Sequence, residues 1–463
     1  MGINATMEIG KNGLNVFRSA TAVVSQNIAN VSTPGYSRQK AIIETSPVSM
    51  LAGFTLGTGA MITSVDRFYD GLLQQQMASS ETTLGYDSTK STVLQQIEPA
   101  FNEISTAGTG AAISNFFVAW QDLTNNPGGT AERQSVLSNA QILADEFHST
   151  SKTLSDTVSL QNSSLVPVID SINATIKDIA KLNAQVSSTD LVAGNANEVK
   201  DKRDLLVRQL AKQIGITSTE NSDGTTDIKL ADGGGALVTG GAFGTLSLNK
   251  TNPNSFVVQL TPAGGAPPPV TVTPTTGSLG ATLALRDSIL PGYQAQLDSL
   301  ATTLAAEVNK QHMAGFDLNG NLGIALFDPA ATTAATFGIN PAMNSTTLIA
   351  ASSNTSAAGD NINAVTIAGL QSQRLMSGNT LTFNGFWNGL VSQVGLNVSS
   401  SKTNVTQDEA FSNQLHILRD TNSGVSLDQE LSDLMMYQRS YQACAQVITT
   451  ATSMMDTVLG IIR

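Results

Sequence analysis

The sequence predicts a mainly α fold with a β insert: terminal coiled-coil helices, a helical-bundle shell domain, and one small antiparallel β domain inserted in the middle. Three observations carry this. Apolar residues recur at +4 and +3 spacing at both ends of the chain. Helical periodicity fills most of the interior. Between Ile216 and about Ser278 the chain instead turns Gly-, Thr- and Pro-rich, with short alternating runs. A length of 463 residues suggests about three domains.

At the C-terminus the stepped positions are Leu427, Leu431, Leu434, Gln438, Tyr441, Ala445, Ile448, Thr452, Met455, Leu459 and Ile462. This is a coiled-coil seam interrupted only by Gln438 and Thr452. A second seam runs beside it through Tyr437, Ser440, Cys444, Val447, Ala451, Met454, Val458 and Ile461. At the N-terminus the steps give Ile3, Met7, Gly10, Leu14, Phe17, Thr21, Val24, Ile28 and Val31, with a side seam through Ile9, Gly13, Val16, Ala20 and Val23. The first helix should end near Asn30, because Pro34 disfavours helical backbone at Thr33 and Gly35 then permits a turn.

Two adjacent seams make a face too wide for one partner helix. An intramolecular two-helix stalk, or core helices of an ordinary domain, would use part of it. The fuller reading is that the termini pair and then pack against neighbouring subunits. Fully burying one large aliphatic side chain is worth roughly 1.5–3 kcal/mol, and exposed patches of this size mark interaction surfaces. In an isolated monomer residues 1 to about 30 and about 428 to 463 should be mostly disordered, since a lone helix is marginal in water. The candidate subunit-interface residues are Ile3, Met7, Leu14, Phe17, Val24, Ile28, Leu431, Leu434, Tyr441, Ile448, Met455, Leu459 and Ile462. Pro34 and Gly35 form a candidate hinge that fixes the angle to the next domain.

Between the ends, Ile113, Phe116, Phe117 and Trp120 share one helical face before Asn-Pro-Gly-Gly stops it. A helical pattern resumes through Val136, Leu137, Ala140 and Leu143, and again from Leu165 to Ile179, where Pro167 should kink or start a helix. The runs TDIKLA, GALVTG, GTLSLN, SFVVQLT and PVTVTP read as short antiparallel strands. Helix returns through Leu297, Leu300, Leu304 and Val308, and the segments FNGFWNGLVSQVGL and FSNQLHILRD read as further helices. The order nests one module inside another. The terminal coiled-coil domain spans 1–34 and 425–463, the helical shell 35–215 and 279–424, and the β-rich insert 216–278, expected as a protrusion at the far end.

Little chemistry is written into the chain. Lys and Arg number 24 against 36 Asp and Glu, giving a net charge of −12, which argues against nucleic-acid or anionic-membrane partners. No apolar run approaches the ~20 residues that span a bilayer. His148, His312 and His416 form no HExxH pair, and no phosphate-binding loop is present. Asp317, Asn319 and Asn321 resemble the opening of a calcium loop, but Leu322 replaces the turn glycine and Asp328 stands where Glu is needed, so a polar turn is expected. Cys444, the single cysteine, sits on an apolar helix as a small hydrophobe. No enzyme, cofactor or metal is expected.

The stretch GLNVFRSATAVVSQNIANVSTPGYSRQ, from Gly13 to Gln39, resembles the signature of axial proteins of the bacterial flagellum through Asn27, Ile28, Asn30, Pro34, Gly35, Tyr36, Arg38 and Gln39. Further segments, among them NFFVAWQDLTNNPGGTAERQSVL, NEVKDKRDLLVRQLAKQIGI and GVSLDQELSDLMMYQRSYQACAQVITTATSMMDTVLGIIR, are similar to the hook-associated protein 1 family of hook–filament junction proteins. The resemblance covers both ends and most helical segments. Some members carry a second outer insert; here a single outer β domain is expected, not two. The resemblance implies a structural role at the hook–filament junction, assembly as a homo-oligomeric ring, contacts with the hook protein and a second junction protein, and an export chaperone before secretion. It also implies an extracellular flagellar location, reached through the flagellar type III apparatus without a cleaved signal peptide, where composition alone reads as cytosolic. The alternatives are a second junction protein or flagellin paralogue, or an extracellular adhesin or enzyme on a flagellin-like scaffold.

Overall fold

The computed structural model describes residues 2–51, 54–101, 108–193, 196–265, 268–355 and 359–462. Helix α1 (Gly2–Ala29) opens the chain. Four strands come next: β1 (Gln39–Thr45), β2 (Ser49–Leu51), β3 (Phe54–Leu56) and β4 (Ala60–Arg67). β1 pairs antiparallel with β4, Gln39 opposite Arg67 and Thr45 opposite Ala60, with a bulge at Ile42/Ile43. The sequence places this stretch in a helical shell, which the structure corrects. Only Ala41 is buried along β1, so the strand lacks the strong alternation that would announce it.

α2 (Gly71–Ile97) starts where the Asp70 carboxylate accepts a hydrogen bond from the Leu73 amide at 3.1 Å, satisfying one orphan donor of the first turn. α3 (Thr109–Asn125) leads to α4 (Thr130–Ala193), a single 64-residue helix. α4 runs through Pro167, where the sequence suggests a kink or a new start. Ile169, Ile172, Ile176 and Ile179, beyond the proline, are buried, so packing offsets the one lost backbone bond.

After α5 (Asn197–Gln213) come the insert strands: β5 (Ile216–Glu220), β6 (Thr226–Leu230), β7 (Ala236–Thr239) and β8 (Ala242–Phe243), antiparallel in that order. A second antiparallel sheet has the order β11 (Val270–Thr271), β10 (Val257–Thr261), β9 (Thr245–Asn249). All five runs read as strands carry one. The insert does not stand off as a distal protrusion: Ile228, Leu230, Val238, Val258 and Leu260 share a core with Leu165, Ile172 and Ile179 of α4 and Leu210 of α5. Three asparagines of α4 hold it there. Asn173 donates to the Leu246 carbonyl and accepts from its amide, both at 2.8 Å. Asn162 does the same with Pro253 O and Phe256 N, and Asn183 with Thr226. Asn173 and Asn183 thereby satisfy backbone groups of β9 and β6, and Asn162 those of the turn that leads into β10.

α6 (Gly277–Ala284), a π-helical turn (Leu285–Ile289) and α7 (Leu290–Ala314) return to the main core, followed by irregular chain, α8 (Ile362–Gly369), α9 (Phe383–Ser423) and α10 (Leu427–Ile462). The main core gathers Phe116, Trp120, Phe147, Leu300, Phe327 and Trp387, with the Phe327 and Phe337 rings 4.5 Å apart. α9 is one helix of 41 residues, begun by the Thr382 hydroxyl accepting from Gly385 N.

Candidate functional site: the terminal helix pair and its polar corner

α1 and α10 pack antiparallel, Asn27 beside Glu430 and Phe17 beside Tyr437, whose ring centroids are 6.2 Å apart. Small residues let the backbones approach. A Cβ at Gly10 would stand 2.7 Å from Ile448 Cγ1, and one at Gly13 would stand 2.6 Å from Cys444 Sγ. The covered line on α1 is Gly10, Gly13, Val16, Ala20, Val24 and Asn27, which runs between the two seams read from the sequence. Ile3, Met7, Leu14, Phe17 and Ile28 flank it, half-buried.

α1 has a second neighbour that periodicity does not reveal. The β1–β4 hairpin lies along it, with Asn12 donating to the Thr58 carbonyl at 2.9 Å and Gly59 against the backbone of Ile9. Val16 and Ser19 line a shallow groove with Ala60, Met61 and Ile62. The wide apolar face of α1 is thus covered from two sides within one chain.

Among the described residues α10 has no such cover. Cys444, Ile448 and Met455 are half-buried and Ala451 is buried, so Ile448 belongs to the contact with α1. Leu434 is half-buried too. By contrast Leu431 is 48% exposed, Tyr441 40%, Met454 56% and Leu459 58%, with Met435, Met436, Val447, Val458 and Ile461 exposed as well. The wet surface therefore comes from both predicted seams, on either side of a covered line through Tyr437, Cys444, Ile448 and Ala451. The side chain of Ile462 lies outside the described residues.

Below the pair, the chain turns a corner. Tyr36 N donates to Thr33 O at 3.2 Å, with Pro34 second and Gly35 third at φ +82°, the form of a type II turn. A dense polar network holds the residues on both sides of this turn. Asn27, 1% exposed, uses its whole amide: it donates to Gln39 O at 2.8 Å and Glu430 Oε2 at 2.9 Å, and accepts from Gln39 N and the Tyr36 hydroxyl, both at 2.9 Å. Burial, then Asp201 and other nearby carboxylates, push the Tyr36 phenol well above its ordinary value, so it stays a neutral donor. Glu430, fully buried in the first turn of α10, also accepts from Arg38 Nε at 2.5 Å. Negative charge there suits the helix dipole.

The corner is tied to the shell as tightly. Arg38 N donates to Ser423 O at 2.8 Å, and Arg419 Nη2 donates to Tyr36 O. Ser37 N donates to Asp201 Oδ2 at 2.8 Å. Arg67 Nη1 meets Asp201 at 2.9 Å and Asp204 at 2.8 Å, and its guanidinium lies 4.0 Å from the Tyr69 ring centroid. Although burial works against its charge, those two carboxylates hold Arg67 firmly protonated. Pro34 and Gly35 therefore sit at the edge of a braced corner rather than in a slack linker. Asn27, Glu430, Asp201 and Arg67 are absent from the site residues that spacing suggests; Asn27 stands in the N-terminal signature, and nothing local marks the other three.

Elsewhere the residues with the means for chemistry hold structure instead. Buried His312 has Nδ1 2.5 Å from Ile324 O, and its Nε2 accepts from Ala350 N at 2.9 Å, which makes Nδ1 the protonated nitrogen. Asp317 Oδ1 accepts from the amides of Asn319 and Asn321 at 2.8 Å, a self-contained polar turn. Among the described residues no group of three His, Cys, Asp or Glu is placed to hold a metal, and no helix is long and apolar enough to cross a membrane.

Comparison with known proteins bears on both the core and the ends. Residues 94–327 match the flagellar hook-associated protein FlgK helical domain. Residues 7–36 match the flagella basal body rod protein family, and 420–461 the C-terminal region of the flagellar basal body rod FlgEFG proteins. Flagellar hook-associated protein 1 of Bacillus subtilis is 25% identical over 98% of this chain and 97% of its own. That of Salmonella typhimurium is 27% identical over 97% and 98%, in an alignment of 546 residues, so that relative is the longer protein. The structure of the flagellar hook junction protein FlgK from Burkholderia pseudomallei superposes with a TM-score of 0.68, covering 76% of this chain and all of that one at 19% identity, which shows a common fold. With its central helical domain and both terminal segments accounted for, the chain belongs to the flagellar hook-associated protein 1 family.

Proposed function

We propose that this chain is a structural subunit of the junction between flagellar hook and filament, and that it assembles through the outer face of α10. The observation that carries the assembly mode is the asymmetry of the terminal pair. α1 is covered by α10 and the β1–β4 hairpin, whereas α10 keeps Leu431, Met435, Val447, Met454 and Val458 in water. A helix anchored along one line and apolar on both flanks is built to be covered by copies of itself. The subunits form a closed homo-oligomeric ring, its two ends meeting the hook protein and a second junction protein. Before assembly the same face needs protection, which an export chaperone supplies, and the finished ring lies outside the cell. The protein acts mechanically and catalyses nothing.

Deleting the gene tests this reading. Hooks should persist without filaments, with filament subunits shed to the medium, and the wild-type chain should restore attachment. Normal filaments in the deletion strain would contradict the reading. Removing residues 425–463 should abolish chaperone capture in a pull-down, and retained capture would place the chaperone site elsewhere.

A further inference from the structure

The sequence of α5 gives Arg208 an obvious counter-ion. Asp204 stands four positions earlier, acid before base, the spacing and order that favour an ion pair along a helix. The fold turns that carboxylate elsewhere: Asp204 Oδ2 meets Arg67 Nη1 at 2.8 Å, and its Oδ1 meets Arg203 Nη2 at 3.2 Å. Arg208 is left 8% exposed with one acceptor, the neutral Gln74 Oε1 of α2, 2.5 Å from its Nη1. Among the described residues no carboxylate oxygen lies within 4.0 Å of its guanidinium. The other acids nearby are engaged too. Asp201 holds Arg67 and the Ser37 amide, while Glu81 accepts from Ser412 and faces Lys212 and His416. Burial first, then Arg419, works against the Arg208 charge.

A buried cation without a counter-ion is costly. This one opens onto a cleft. Arg208 lines a cavity of about 230 Å³ between the start of α2, α5 and strands β5 and β6, together with Tyr69, Leu72, Gln75, Ser218 and Thr226. With Nη1 taken by Gln74, its Nε and Nη2 have no acceptor, and neither is sealed from solvent. That free edge presents two parallel N–H donors, the pattern that fits the two oxygens of a carboxylate. The acids of the cleft itself do not fill the role. Asp204 is held by Arg67 and Arg203, and Glu220 faces Arg203 at 3.8 Å. A volume below the roughly 300–1,000 Å³ of drug-sized sites suits a side chain, not a cofactor.

We propose that the cleft between α2, α5 and β5–β6 receives an acidic side chain from a neighbouring copy of the chain, whose carboxylate docks on the Nε–Nη2 edge of Arg208. The source of the carboxylate rests on the assembly proposed above; the chemistry of the cleft does not. The chain carries 36 Asp and Glu against 24 Lys and Arg, so a second copy brings carboxylates in excess. Docking supplies the counter-charge that the fold withholds, and it ties shell to shell apart from the contacts of α10.

NMR of the full-length monomer tests the cleft without any assembly. With isotope-labelled arginine, the Arg208 Nε–H resonance is identified by its loss in Arg208→Met or Arg208→Lys. It should shift saturably on titration with N-acetylglutamate amide, whose only charge is the side-chain carboxylate. Sodium chloride at matched ionic strength should not reproduce the shift. No shift, or an equal one with chloride, would overturn the proposal. Arg208→Met should leave the monomer's melting temperature unchanged or raised, because it removes an uncompensated charge; a fall would show a cation already satisfied within the chain. In a deletion strain, filaments joined by Arg208→Met or Arg208→Lys should detach severalfold more readily under shear, since lysine keeps the charge without the paired donors. Wild-type attachment in both would rule out a neighbour's carboxylate. Failure of the α10 reading shows separately, as normal filaments with Met454→Asp.

Discussion

Asn27 and Glu430 are 403 positions apart in the chain and joined by a hydrogen bond of 2.9 Å. Their contact closes the molecule, because it fixes the end of the first helix to the start of the last. Glu430→Ala would leave Arg38 Nε and one Asn27 donor without their acceptor, the guanidinium keeping only Asp433 at 3.3 Å. The expected cost is about 2–4 kcal/mol, since an uncompensated buried partner is penalised more than the bond itself is worth. Urea unfolding of the monomer measures it. Glu430→Gln, which keeps an acceptor for one partner, should cost less.

Gly35 adopts φ +82°, and a Cβ there would make ordinary contact with Leu205 at 3.5 Å. The obstacle to substitution is backbone conformation, not space. Gly35→Asn should be the mildest change, Gly35→Ala should cost about 1–2 kcal/mol, and Gly35→Val more. Filament attachment should fall in the same order. Equal effects for Asn and Val would show that the turn is not held left-handed.

The close pass of Gly13 against Cys444 predicts a coupled pair. Gly13→Ala should weaken the α1–α10 contact despite the better helix propensity of alanine, because the new methyl meets Sγ. Adding Cys444→Ala should restore it. A double-mutant cycle on hydrogen exchange of α1 reads the coupling, and strict additivity would place the helices further apart.

His312 is neutral in the fold, its pKa lowered to about 4 chiefly by burial. The unfolded chain takes up a proton near pH 6.5, so unfolding is proton-linked between those values. The contribution is fully present above pH 6.5, falls as pH drops, and is gone by about pH 4, a loss of about 3 kcal/mol. Melting temperature should fall over that range, and His312→Gln, less stable at pH 7, should show a shallower slope.

Much of this architecture can be read from residue spacing. The terminal helices and the insert strands announce themselves because burial on one face imposes a period of 3.6 or 2. The β1–β4 hairpin escapes such a reading because it buries little of its own surface and works by covering α1. Pro167 misleads because a local rule yields when the isoleucines beyond it are buried. The corner is legible only as Thr-Pro-Gly-Tyr: the signature supplies Asn27, but its partner Glu430 lies on the far helix, and no local pattern carries a pairing across the chain. Ile448 reads as an intersubunit residue because its seam is apolar nearly throughout, whereas Gly10 opens space for it within the chain.

The inward position of Ile448 leaves the outer residues of α10 as the direct test of assembly. Met454 is 56% exposed on α10, away from the covered line. Met454→Asp in a deletion strain is the most direct measurement. The predicted result is a monomer with unchanged melting temperature that fails to enter the junction, leaving bare hooks and shed filament subunits. Ile448→Asp should instead weaken the monomer's own helix pair. Normal filaments carrying Met454→Asp would contradict assembly through the outer face of α10.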